Sequence, residues 1–406
     1  MVYSCYSTLS TQPEFSAMLY PPEQKSAQSL EQPPARRWPA VLGYGIMLLI
    51  LPIGFVLGGE ASSFASTGTM YIPFVLLALL AYLGQRNDAA KILAVLWWLG
   101  LIGLAALGIT SFTMLASGVV DLTAPGAAGL GEMDWGIVIG ILGLSALGFF
   151  LGVAVLLPPV RRGISRVLPV DSGSFVHGIA LALVVSLSLI LLAPLLVTGK
   201  PPLLSDAFMQ LAESSGGLDA QSNLLATVYV LVWTVPLAIF AVGYGVQRNF
   251  AASLRRLGFV WPTLRQIGLG VVVAVALVFA VTYLDKGIGL LWEAMGWPRT
   301  DSEAFSKLIA FAFTPLGAIV LGVSAGLGEE LGVRGVLQPR LGILLSNLLF
   351  ASLHALQYGW DGVLVVFLLG AVFGVLRNRT NTTTSAIAHG LYDFLLVMMA
   401  IYEISI

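Results

Sequence analysis

The chain has 406 residues, 57% of them hydrophobic and only 10% charged, with a mean hydropathy of +0.91 and a formal net charge of −1. A water-soluble domain carries about 25% charged residues, so this composition excludes a soluble globular protein, and the near-zero charge excludes a nucleic-acid-binding surface. A lone cysteine, Cys5, rules out an internal disulfide and a cysteine-based metal cluster, and histidine chemistry is confined to His177, His354 and His389.

Residues 1–39 are polar, with scattered Gln, Ser and Pro. They lack the basic start and apolar run of a signal peptide and are expected to form a disordered cytoplasmic tail. Crossing the hydrocarbon layer takes about 20 mostly apolar residues. That criterion predicts an all-α, polytopic transmembrane bundle of about eleven spans. They fall near 40–57, 69–83, 92–119, 135–157, 175–197, 223–246, 266–284, 307–327, 341–356, 363–376 and 384–402. Every second loop is basic, including Arg86 and Lys91, then Arg161, Arg162 and Arg166, then Arg248, Arg255, Arg256 and Arg265. The alternate loops carry acids such as Glu60, Asp134 and Asp219. Positive loops face the cytoplasm, which predicts a cytoplasmic N-terminus and an external C-terminus.

The spans of 40–250 are almost free of ionisable groups, and this N-terminal transmembrane region has no role that its residues disclose. His177, without an acidic neighbour in sequence, reads as a structural histidine. From about 251 onward the chain carries polar residues that a membrane interior must compensate. Three stretches stand out: GLGEELGVRG with Glu329, Glu330 and Arg334; LLFASLH with Phe350 and His354; and AHGLYD with His389 and Asp393. Ionisable groups at bilayer depth cost roughly 2.5–3.5 kcal/mol each and are compensated by pairing around a wet cavity. Residues four apart share a helix face, so Glu330 is expected to meet Arg334, while Glu329 is turned about 100° away. Glu329 is then placed to accept a proton from water, with desolvation making it a better base, and His354 to hold the same water. His389 and Asp393 project to one side and could stabilise an oxyanion, Asp393 only as a protonated donor or by orienting His389.

These three stretches, in this order, resemble the CPBP family of CAAX prenyl endoproteases and bacterial Abi proteins, whose pattern is EExxxR, FxxxH and HxxxN or HxxxD. Here they stand as Glu329-Glu330 with Arg334, Phe350 with His354, and His389 with Asp393. The text RGVLQPRLG after the first motif and LRRLGFVWP upstream are similar too, and the resemblance covers 251–406. It implies an intramembrane protease core over that range, opening to the cytoplasm of a bacterial plasma membrane. The implied activity is a metal- and cofactor-independent glutamic endopeptidase acting on a membrane-associated peptide or protein. Glu329 would be the base, His354 its water-positioning partner and His389 with Asp393 the oxyanion group, supported by Glu330, Arg334 and Phe350. Asp393 replaces the amide donor of family members that carry Asn there. Competing readings are a non-catalytic membrane scaffold or bacteriocin-immunity-type partner-binding protein, and a secondary transporter. A zinc site is disfavoured by the absence of HExxH. Beyond lipids and the peptide substrate no partner is expected, and no nucleic acid.

Overall fold

The computed structural model describes residues 37–118, 120–121, 129–130 and 134–404. The expected tail therefore lies outside the described residues, except at its end. There a helix already begins at Trp38, with Pro39 in its first turn, where the missing N–H costs nothing.

Ten described helices are long and apolar enough to cross a membrane. The first seven are α1 (Trp38–Leu57), α2 (Gly59–Gly84), α3 (Asp88–Ala116), α4 (Trp135–Leu156), α5 (Phe175–Thr198), α6 (Ala220–Ala241) and α7 (Leu264–Met295). Many start on a side-chain cap that supplies an acceptor to the unpaired N–H groups of the first turn. Asn87 caps α3, Asp134 caps α4, Asp219 caps α6, and Thr263 forms a reciprocal capping box with Gln266 at α7. Their outer faces present bare apolar side chains, such as Val56, Leu104 and Val272. In lipid that exposure carries no penalty.

In the C-terminal part the expected eighth and ninth spans are the two arms of one helical run, Pro315–His354, which is a single member of the ten. Within it Gly342 alone breaks the helix, at φ 77° and ψ 177°, a conformation open to glycine because it has no Cβ. The run folds back there. On the outgoing arm the side chain of Arg334 donates to the carbonyl of Gly370 (2.9 Å) and that of Gln338 to Gly374 (2.8 Å). On the returning arm Asn347 donates to Phe367 (2.6 Å). Both arms thus line the same helix, α8 (Trp360–Arg379), in opposite senses. The last helix, α9 (Thr382–Ile401), closes the bundle.

This hairpin sets depth. Glu330 lies as many residues before Gly342 as His354 lies after it, and Arg334 and Phe350 are likewise equidistant. The Arg334 guanidinium accordingly sits 4.4 Å above the Phe350 ring. The glutamates were expected just past the end of a span. They are instead about 18 Å of helix from the turn, well inside the bundle, because the outgoing arm continues through them to Leu341.

The two halves of the chain share cores. One apolar cluster joins Leu77, Trp98 and Leu181 to Leu341 and Leu349; another joins Ala238 and Val242 to Leu257 and Leu331.

Candidate active site

Glu329 ends one wide helical turn, Ser324–Glu329, and Glu330 joins it to a second, Leu331–Leu337; in both the backbone bonds five residues back. Such π turns rotate side chains off the ordinary helical register and occur often at functional sites. Close approach of the neighbouring helix makes the cluster possible. A Cβ on Gly326 would lie 2.5 Å from the Ala386 carbonyl, and one on Gly390 would lie 2.5 Å from the Gly322 carbonyl. Two backbones therefore meet without intervening side chains, which brings α9 and its His389 directly onto the carboxylates.

Glu330 is fully buried and saturated. One oxygen is 3.3 Å from Arg334 Nη1 and 3.0 Å from His389 Nδ1; the other accepts from Ser385 Oγ at 2.6 Å. Its part is wider than the helix-end pair with Arg334 that the spacing predicted, because it also fixes the His389 ring. A carboxylate only accepts, so Nδ1 of His389 carries the proton and the ring presents Nε2 on its other side. That Nε2 faces Asp393 Oδ2 at 3.4 Å and Glu329 Oε2 at 3.9 Å. The ring is clamped flat against Phe373, with centroids 4.5 Å apart. Arg334 is 1% exposed, yet the ion pair, the Gly370 carbonyl and the face of Phe350 give it three kinds of compensation.

Glu329 differs from its neighbour. Its side chain is 39% exposed and makes no hydrogen bond to another described side chain. The strong desolvation expected from its motif is not what surrounds it; partial access is. His354 stands one ring away from this group. Its Nδ1 bonds the Phe350 carbonyl at 2.9 Å, so that nitrogen carries the proton and Nε2 is left as the acceptor. It makes no ion pair with a carboxylate among the described residues, but packs edge-on against Phe350 and parallel to Tyr358.

Glu329, Glu330, His389 and Asp393 are thus brought together directly, with His354 adjoining through aromatic contacts. Sequence reasoning missed Ser385 and Tyr358. Each carried a spacing signal, Ser385 four residues before His389 and Tyr358 four after His354. Burial, with the carboxylates of Asp393 and Glu329 nearby, holds the Tyr358 phenol above its ordinary range, so it stays a neutral donor beside them. His177 accepts from the Asp171 N–H at 3.1 Å, far in sequence from this group. Among the described residues no three His, Cys, Asp or Glu side chains are disposed to share a metal ion.

Ten apolar spans around a buried carboxylate, imidazole and guanidinium cluster define a polytopic membrane protein whose polar centre lies between helices. Residues 310–395, which include all three motifs, match the family model for type II CAAX prenyl endopeptidase, Rce1-like. Over this segment the chain is similar to type II CAAX prenyl endopeptidases, in agreement with the resemblance carried by the three motifs. No curated protein and no solved structure is significantly similar to the chain.

Proposed function

We propose that the protein is an intramembrane glutamic endopeptidase that hydrolyses a peptide bond in a membrane-associated protein or peptide, with Glu329 as the general base. The supporting observation is the division of labour between adjacent glutamates. Glu330 is buried and used up in holding Arg334, Ser385 and His389. Glu329 is partly exposed and lies 3.9 Å from the opposite nitrogen of the same imidazole.

The chemistry follows from that placement. Glu329 takes a proton from a water molecule, and the resulting hydroxide attacks the scissile carbonyl. Charge develops on the carbonyl oxygen, and His389, oriented by Glu330 through Nδ1–H and carrying a second proton on Nε2, donates Nε2–H to it, together with Asp393 in its protonated form. The proton held by Glu329 passes to the leaving amine as the C–N bond breaks, which restores the carboxylate. His354, whose Nε2 is an acceptor, positions the water, and the Tyr358 hydroxyl supplies a neutral donor beside Asp393 and Glu329. No metal is required in this scheme. The positive-inside rule supports a cytoplasmic arginine-rich end of the bundle, and access to the site from that side is part of the proposal.

Comparing membrane-derived peptides in cells carrying the wild-type chain and the Glu329→Ala variant tests this reading. Peptide termini that appear only with the wild type are expected. Identical peptide populations would count against hydrolysis.

A further inference from the structure

The second concentration of charge lies at the arginine-rich end of the bundle, away from the carboxylate cluster. The phenolic oxygen of Tyr82, at the end of α2, accepts hydrogen bonds from two guanidinium groups, Arg248 at 3.2 Å and Arg340. Both guanidiniums also lie within 6 Å of the Tyr82 ring centroid. Arg340 further donates to the Val336 carbonyl, and nearby Arg256 donates to that of Gly335. Among the described residues neither Arg256 nor Arg340 forms an ion pair with a carboxylate. Burial first, and the neighbouring Arg340 second, push Arg248 down to about 9 and Arg256 well below its ordinary value.

Tyr82 also lines a cavity of about 590 Å³ between the start of α1, the end of α2 and the turn at Gly245. A phenol oxygen has two lone pairs and one hydrogen. With both lone pairs engaged by guanidiniums, Tyr82 can offer a further partner only its O–H, and that O–H is polarised by two positive groups. Tyr44 lines the same cavity, and its hydroxyl is buried with no hydrogen-bond partner among the described residues. Arg37 and Arg86 stand exposed at its margin, no carboxylate lines it among the described residues, and Val41, Leu79 and Leu83 give it apolar walls.

We propose that this cavity binds a phosphate-bearing headgroup, with Tyr82 and Tyr44 as inner donors, Arg37 and Arg86 at the mouth, and the apolar walls receiving the attached stem of an anionic lipid. Two hydroxyl donors without acceptors, positive charge behind and in front, and apolar sides match a phosphate on an amphiphile. Basic pockets between spans on the cytoplasmic side take phosphate headgroups for this reason. The volume exceeds what a bare phosphate ion fills. The site is independent of the proposed hydrolysis, because none of its residues belongs to the carboxylate cluster.

The test is a titration of the purified full-length protein in detergent with short-chain phosphatidylglycerol, phosphatidylcholine and inorganic phosphate, read by native mass spectrometry. Saturable binding of phosphatidylglycerol over phosphatidylcholine is expected. Each mouth arginine contributes roughly fivefold, so Arg86→Gln should weaken binding about fivefold and the Arg37→Gln/Arg86→Gln pair about 25-fold. Tyr44→Phe should also weaken binding, and Arg166→Gln, an exposed arginine outside the cavity, should not. Displacement by millimolar inorganic phosphate would identify the ligand as the free ion; its failure to compete would identify the lipid. Equal binding of the two lipids, or an equal loss in Arg166→Gln and Arg86→Gln, would overturn the proposal. Arg37 and Arg86 are exposed, so their variants fold.

Discussion

The adjacent glutamates should separate cleanly when each is converted to its amide. Glu330→Gln keeps the shape but removes the charge that neutralises Arg334, a guanidinium that is 1% exposed and whose other polar partner is the carbonyl of Gly370. Breaking one side of a buried ion pair costs about 3–5 kcal/mol, and the bond that aligns His389 at 3.0 Å weakens as well. Glu329→Gln removes a group that is 39% exposed and whose nearest ionic partner is 3.9 Å away, so solvent screening keeps its cost below about 1 kcal/mol. Reversible unfolding in mixed micelles, monitored by circular dichroism, measures both. The Glu330 variant should unfold at clearly lower denaturant and lose activity; the Glu329 variant should lose activity at nearly unchanged stability. Equal destabilisation of the two, or a Glu330→Gln protein as stable as wild type, would refute the assignment of separate roles.

Other substitutions probe the surroundings. Gly390→Val would drive side-chain atoms into the Gly322 carbonyl 2.5 Å from the added Cβ; overpacking of this kind costs about 1–3 kcal/mol or more, and a lowered thermal midpoint with lost activity is expected. Asp361 accepts from the backbone N–H and hydroxyl of Thr300 and pairs with Arg299 at 3.6 Å, tying the first turn of α8 to the segment after α7. Asp361→Ala should cost about 1–3 kcal/mol, visible in the same unfolding assay. For topology, Cys5→Ser provides a cysteine-free background into which Arg166→Cys or Ser214→Cys is introduced. An impermeant maleimide applied to intact cells should label position 214 and spare position 166. Activity should also persist in a strong chelator, as measured on the purified protein; its loss, restored by zinc, would contradict a metal-free reaction.

Much of this architecture can be read from the residues because lipid imposes a simple rule on composition. The apolar runs fixed the existence of nearly every span, and caps such as Asn87, Asp134 and Thr263 mark where the helices begin. The hairpin at Gly342 was harder to place, since the polar stretch 328–340 reads as a loop between two spans whereas the helix runs through it to Leu341 and reverses at Gly342. Its signature is symmetry: Glu330 and Arg334 before the glycine are matched by His354 and Phe350 after it at equal spacing, which puts each pair at one depth. The i, i+4 rule indicated the Glu330–Arg334 and His389–Asp393 relations. It could not indicate the bond between Glu330 and His389, which depends on Gly326 and Gly390 letting two backbones touch. Nor could it give the exposure of Glu329, because the π turns shift both glutamates off the ordinary helical register.

The most direct measurement is turnover of a membrane-anchored peptide by purified wild-type and Glu329→Gln proteins in proteoliposomes, with peptide binding recorded in parallel. A fall in turnover of at least about a hundredfold, with binding and fold retained, is the expected result. Undiminished cleavage by the Glu329→Gln protein would contradict the role given to this carboxylate, and binding without cleavage in the wild type would identify a partner-binding protein built on the same fold.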